Sequence, residues 1–200
     1  MNKTPLIIGL LVLVLASGCA TTKVTRVDRE EKIDLSGEWN DYDAMLVAQS
    51  MIKDCLERPW LYNYVKIKGE NPTVIVGKVT NKSYEHINSQ VFTKYLEKEL
   101  LNSGKVIFVA SPQEREGVRE ERNDQQQGYT EPETIKAIGH ETGADFMLIG
   151  SVNAIKDEVR SKAVMYYQVN LELVDMLTNQ KVWIGQKEIK KKIDHPKFSF

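Results

Sequence analysis

Apolar residues along this chain fall into three successive patterns. An unbroken run stands near the start, stripes at helical spacing fill the middle, and strict alternation marks the end. Leu6 to Ala16 is apolar throughout, preceded by Lys3 and followed by Ser17-Gly18-Cys19. From Ala20 to about Asp41 the chain turns polar and charged, as in Asp28-Arg29-Glu30-Glu31-Lys32, with a period of neither 2 nor 3.6. Such a stretch reads as a tether. Its later part, Asp34 to Asp43, holds Trp39 and Tyr42, for which a free linker has little use.

The middle third alternates helices with short strands. Ala44, Ala48, Met51 and Cys55, widened by Val47, Ile52 and Leu56, predict a helix from about Asp43 to Glu57, with Pro59 as its stop. Trp60 to Lys68 has no clear period and is expected to be an irregular connection. Thr73 to Val79 is a β-branched run entered through Pro72, hence a buried strand. Asn88 to Asn102 places Val91, Phe92, Tyr95, Leu96 and Leu100 on one helical stripe and ends at Ser103-Gly104. Val106 to Val109 is a second short strand. Ser111, Pro112 and Glu114 form a helix start with a capping box, opening a very polar helix through Arg122. Thr130 and Glu133 predict another helix, running to Thr142.

The final third is strand-rich. Phe146 to Ile149 begins one strand. Met165, Tyr167, Val169, Leu171 and Leu173 then alternate with Tyr166, Gln168, Asn170 and Glu172, so one face is buried and one wet. Thr178-Asn179-Gln180 is a hairpin turn into a last strand from Val182 to Lys192. The fold class is α/β: a mixed sheet flanked by helices, ending in a three-strand antiparallel meander.

The first run is too short for a transmembrane helix, which needs roughly 17–25 apolar residues. A charged start, an apolar core and a small-residue exit make a secretory signal peptide. Ser17-Gly18-Cys19 in that place resembles the lipobox of bacterial lipoproteins. The resemblance implies that Cys19 receives lipid and becomes the new amino terminus, and Ala20 after it suggests sorting to the outer membrane. Three segments follow: a signal peptide over residues 1–18, a tether over 19–42 partly ordered near its end, and one globular domain over 43–200.

Charge narrows the partners. Of 27 basic residues only Lys3 leaves with the signal, so 26 face 28 acidic ones. A balance this close to neutral gives no argument for nucleic acid. With Cys19 lipidated, Cys55 is the remaining cysteine and no internal disulfide forms. Its helical spacing with Met51 and Ala48 makes it a buried core residue.

No catalytic set is visible. His86, His140 and His195 are far apart, and His140-Glu141 fails as a zinc motif because Ala144 stands where the second histidine belongs. No nucleophile elbow or phosphate loop is present, so neither catalytic residues nor a cofactor is expected. The charged helix from Glu114 to Arg122 and the Lys190-Lys191-Lys192 run read as solvated surface. Tyr166 on a wet strand face and Trp39 at the tether's end are better partner signals, because Tyr and Trp are enriched at binding hot spots.

Several segments together resemble the penicillin-binding protein activator LpoB family. They are Ala137-Ile138-Gly139, Gly143-Ala144-Asp145-Phe146-Met147-Leu148, Tyr167 to Asp175, and Thr178 to Trp183, with Trp39-Asn40-Asp41 and Gly104-Lys105. The resemblance spans about Asp34 to Lys192. It implies a fold like the amino-terminal domain of TolB, and a non-catalytic lipoprotein of the outer membrane, facing the periplasm. The implied partner is a bifunctional penicillin-binding protein. The alternative is a structural or export-assembly lipoprotein with a similar domain, and an envelope hydrolase would need a catalytic set the sequence lacks.

Overall fold

Asn40 starts the first helix. In the computed structural model, which describes residues 24–28 and 31–194, its side chain accepts from the Asp43 amide at 3.0 Å, and the Asp43 carboxylate accepts from the Asn40 amide at 3.1 Å. This reciprocal cap satisfies two orphan amides and stabilises a helix by about 1 kcal/mol. Cys19, the apolar run before it and His195 lie outside the described residues. The chain separates into the units Met1–Glu31 and Lys32–Phe200, and the fold is that of the second.

Helix α1 (Asp41–Leu56) buries Ala44, Val47, Ala48, Met51, Ile52 and Cys55 at intervals of three and four. Pro59 does more than end it. It takes the first position of a second helix, α2 (Pro59–Lys68), where its missing N–H costs nothing. The irregular connection expected there is thus a helix, closed by Gly69 at φ +77°. Arg58 precedes α2 without a side-chain cap, so the local sequence carried no start signal. Trp60 anchors it: its indole N–H donates to the Cys55 carbonyl at 2.7 Å, and its ring meets Phe146 edge-on at 5.1 Å.

Strand β1 (Thr73–Asn81) leads through the Asn88 cap into α3 (Ser89–Asn102), which buries Phe92, Leu96 and Leu100. Val91, expected on the same stripe, is 45% exposed. Strand β2 is only Ile107–Phe108, followed by α4 (Pro112–Gln125). The predicted helix after Thr130 is absent: residues 131–144 contain a turn but no helix. The meander is as expected, with β3 (Phe146–Val159), β4 (Lys162–Asp175) and β5 (Lys181–Asp194) of 14 residues each.

The sheet order is β2-β1-β3-β4-β5. Its β1 pairs are parallel and its β3-β4 and β4-β5 pairs antiparallel. Met165, Tyr167, Val169, Leu171 and Leu173 point from β4 into a core shared with α1, α2 and α3. The other face of β4 presents Tyr166, Gln168, Asn170 and Glu172, none fully buried. Helices α1 to α3 thus leave one face of the sheet uncovered, as the alternation along β4 requires.

Candidate partner-binding surfaces

A sheet has two edges, and here they differ. Strand β5 is one edge, 14 residues long, with Lys187, Lys190 and Lys192 along its outer half. Charged side chains, lysine above all, discourage another strand from adding to an edge. The other edge is stepped. Strand β2 pairs with β1 only at Thr73 and Val74, and the Val109 amide donates to the Val74 carbonyl at 3.3 Å before the chain turns away. From Val76 to Asn81, β1 has no strand neighbour on that side among the described residues.

A groove of about 980 Å³ runs along this free edge. Val76, Gly77, Lys78 and Val79 line it from β1, the Asn88–Lys98 side of α3 forms one wall, and Ser111 to Glu114 form the other. Val91 faces it, which explains that residue's exposure. Gly77 and Lys78 form a bulge against β3, where the register slips between Val76 and Val79. Gly77 is required there, because a Cβ would lie 2.8 Å from Met147 Sδ and 2.9 Å from Ile149 Cγ2.

The second wall is held by charge. Lys94 on α3 bridges Glu97 at 2.6 Å and Glu114 at 2.5 Å. The Ser111 amide and hydroxyl also donate to Glu114, at 2.9 and 2.8 Å, completing the capping box read from sequence. Lys94 first and Ser111 second hold the Glu114 carboxyl down at about 2. Helix α4 itself buries no residue. Glu141 holds its far side, accepting from Arg119 at 2.7 Å through two nitrogens and lying 3.4 Å from Arg115 and 3.8 Å from Arg122. Arg119, the nearest, does most to keep the Glu141 carboxyl below its ordinary range. The residue expected inside a helix is instead the clamp for the preceding one.

At the opposite edge the segment before α1 folds back as a strap. Lys191 on β5 reaches inward to Asp34 at 2.6 Å, Asp43 at 2.5 Å and the Glu38 carbonyl at 2.8 Å. Its side chain is 8% exposed and that of Asp43 5%. Ion pairs so deeply buried are kept only when hydrogen bonds complete them, as the Glu38 carbonyl does here. Gly37, at φ +76°, lies against Ile193, and a Cβ there would come within 2.5 Å of that side chain. Trp39 packs edge-on against Phe92 and Tyr167, at 6.0 and 5.5 Å. Glu85 ties both together: it accepts from the Trp39 amide at 3.1 Å and from the Tyr167 hydroxyl at 2.6 Å. Trp39 is therefore committed to the domain, and Lys191 is a buried ion-pair partner while Lys190 and Lys192 stay exposed.

Tyr166 lies half-buried on the uncovered sheet face, opposite Lys190, and the nearby Glu188 carboxylate pushes its hydroxyl above the ordinary tyrosine range. Cys55 is 1% exposed with a free thiol, and burial pushes that thiol up to about 12, so it is protonated and inert at neutral pH. His86 and His140 are exposed, and among the described residues no three His, Cys, Asp or Glu side chains are placed to hold a metal ion. No described helix is long and apolar enough to cross a membrane.

A family model described as peptidoglycan-synthase activator LpoB matches residues 43–189. Among solved structures, the chain is similar to the LpoB C-terminal domain from Salmonella enterica, with 19% identity, 75% of this chain and 100% of that one covered, and a TM-score of 0.42. It is similar to the LpoB C-terminal domain from Escherichia coli at 18% identity, with the same coverage and TM-score. Lipoprotein GNA1162 from Neisseria meningitidis matches at 19% identity over 60% of this chain and 83% of that one, with a TM-score of 0.39. No curated protein matches the sequence.

Proposed function

The chain belongs to the LpoB family of peptidoglycan-synthase activators, and on that premise we propose that it binds a bifunctional penicillin-binding protein and raises its activity without catalysing a step itself. The family match over residues 43–189 carries this reading. The sequence supports the setting: residues 1–18 direct export, Cys19 takes lipid, and residues 19–42 tether the domain to the outer membrane on its periplasmic side. Near the end of that tether, Asp34, Trp39 and Asn40 make contacts with the domain.

Activation by a binding protein is a shift of population. The activator favours the synthase's active conformation only by as much as it binds that conformation more tightly than the inactive one. Its effect therefore saturates. A rigid docking surface serves this purpose, because little binding free energy is lost to ordering. The packed core behind the sheet supplies that rigidity.

Binding is tested with the full-length lipoprotein in detergent and the purified bifunctional synthases of the same organism. Co-migration with at least one of them, and not with a monofunctional transpeptidase, is expected. Failure to bind any would remove the activator reading and favour an export-assembly role.

A further inference from the structure

We propose that the groove beside β1 seats an extended segment of the partner synthase, with apolar side chains at alternate positions and an acidic one beside Lys78, as an added strand that prolongs β2. The proposal rests on the synthase-activator reading above and goes beyond it by naming where and in what form a part of the partner is held.

The backbone makes the first demand. Strand β1 runs nine residues, yet its outer neighbour covers only Thr73 and Val74. The remaining edge is a row of main-chain donors and acceptors, and an extended peptide is the shape that satisfies such a row. Strand β2 stops because the chain swings out at Val109 to start α4, which leaves vacant the position a longer β2 would fill.

The walls make the second demand. Val76 and Val79 form the floor of the groove, and Val91 and Tyr95 project from α3 along its side. Alternate side chains of an added strand point to one face. Apolar residues at every second position would meet Val79, Val91 and Tyr95, and the others would look out past Lys78.

Charge makes the third. Lys94 bridges both carboxylates of the groove, Glu97 and Glu114, which together exceed its charge by one. Lys98 on the α3 wall lies 3.8 Å from Glu99, and Lys78 is exposed at the bulge. Lys78 is the cation beside the outward positions, so the residue of the incoming strand that passes it is acidic. A second copy of this chain is a poor occupant, because edge-to-edge pairing would bring Lys78 toward Lys78.

Hydrogen exchange on the full-length lipoprotein in detergent, alone and saturated with the purified bifunctional synthase, tests this. Complex formation is expected to slow exchange in residues 76–81 by at least about tenfold. Lys78→Glu and Val91→Asp, both at exposed positions, are each expected to weaken the complex about tenfold with an unchanged melting temperature. A complex that forms while residues 76–81 exchange as before, or that both variants form as tightly as wild type, overturns the groove assignment and leaves the activator reading standing. Absence of any complex overturns both. Protection already present in the lipoprotein alone, rising with its concentration, identifies a second copy as the occupant and overturns the proposal.

Discussion

The two edges of one five-stranded sheet solve the same problem in opposite ways. Both leave main-chain donors and acceptors free to recruit a foreign strand. The β5 edge is long and carries Lys187, Lys190 and Lys192, while Lys191 turns inward to fasten the strap. The β1 edge is short and stepped, with one lysine at a bulge and an apolar groove alongside. Charge repels strands along the outer half of the first edge. The second admits one strand of limited length. The β5 side resists strand addition, while on the proposal above the β1 side receives a partner's strand.

The largest effect comes from Lys191→Met. It leaves the buried Asp43 without its cation and Asp34 with only the more distant Lys32, and breaking such a buried pair costs about 3–5 kcal/mol. Urea unfolding measures the loss. Adding Asp34→Asn and Asp43→Asn should recover most of it, since Asn at position 43 can still accept from a helix cap. If Lys191→Met were neutral, the strap would not be what fixes the β5 side.

Next is the double change Lys190→Ile with Lys192→Ile. Both side chains are exposed, so the unfolding midpoint should move little. Light scattering at raised concentration should nevertheless show association that wild type lacks, as an undefended edge pairs with its like. A variant that stays monodisperse would break the contrast between the edges.

Much of this architecture was legible in sequence, for identifiable reasons. The meander announced itself because β4 has one buried and one open face, which forces strict alternation. The Ser111 capping box was legible because its partners are three residues apart. Helix α2 was not, since Pro59 signals a stop and a start equally well and Arg58 makes no side-chain cap. The Thr130-Glu133 pattern misled because a capping box only opens a helix, whereas burial sustains it. Ile135 and Ile138 find no core to pack on, with Ile138 69% exposed, and Glu141 serves the arginines of α4. The free β1 edge was invisible for a different reason. Strand order decides which strand is an edge, and parallel β1 lies between β2 and β3, far from both in sequence. Val91 was the one local sign, an apolar residue on the margin of its helical stripe.

Acid should loosen the wall of the β1 groove. Folding lowers the Glu114 carboxyl from an ordinary 4.5 to about 2, chiefly through Lys94. A depressed value means stabilisation that is complete above 4.5 and lost as pH falls from 4.5 toward 2. Amide resonances of residues 112–125 should shift over that window. Glu114→Gln should produce the same shift at pH 7 and remove the dependence, which solvent exposure of the pair keeps modest.

The smallest effect is a control. Cys55 should resist thiol reagents at pH 8 in wild type and in the Lys190→Ile, Lys192→Ile double variant, reacting only on denaturation. Fast labelling of native protein would mean that an edge change had opened the core.

The account stands or falls on activation. Titrating the full-length lipoprotein into its organism's bifunctional synthase, with lipid-linked precursor as substrate, measures it directly. Glycan polymerisation should rise with activator and level off at a plateau, as preferential binding to an active state requires. A polymerisation rate that stays flat at every activator concentration, with the two proteins shown to be in complex, would contradict it.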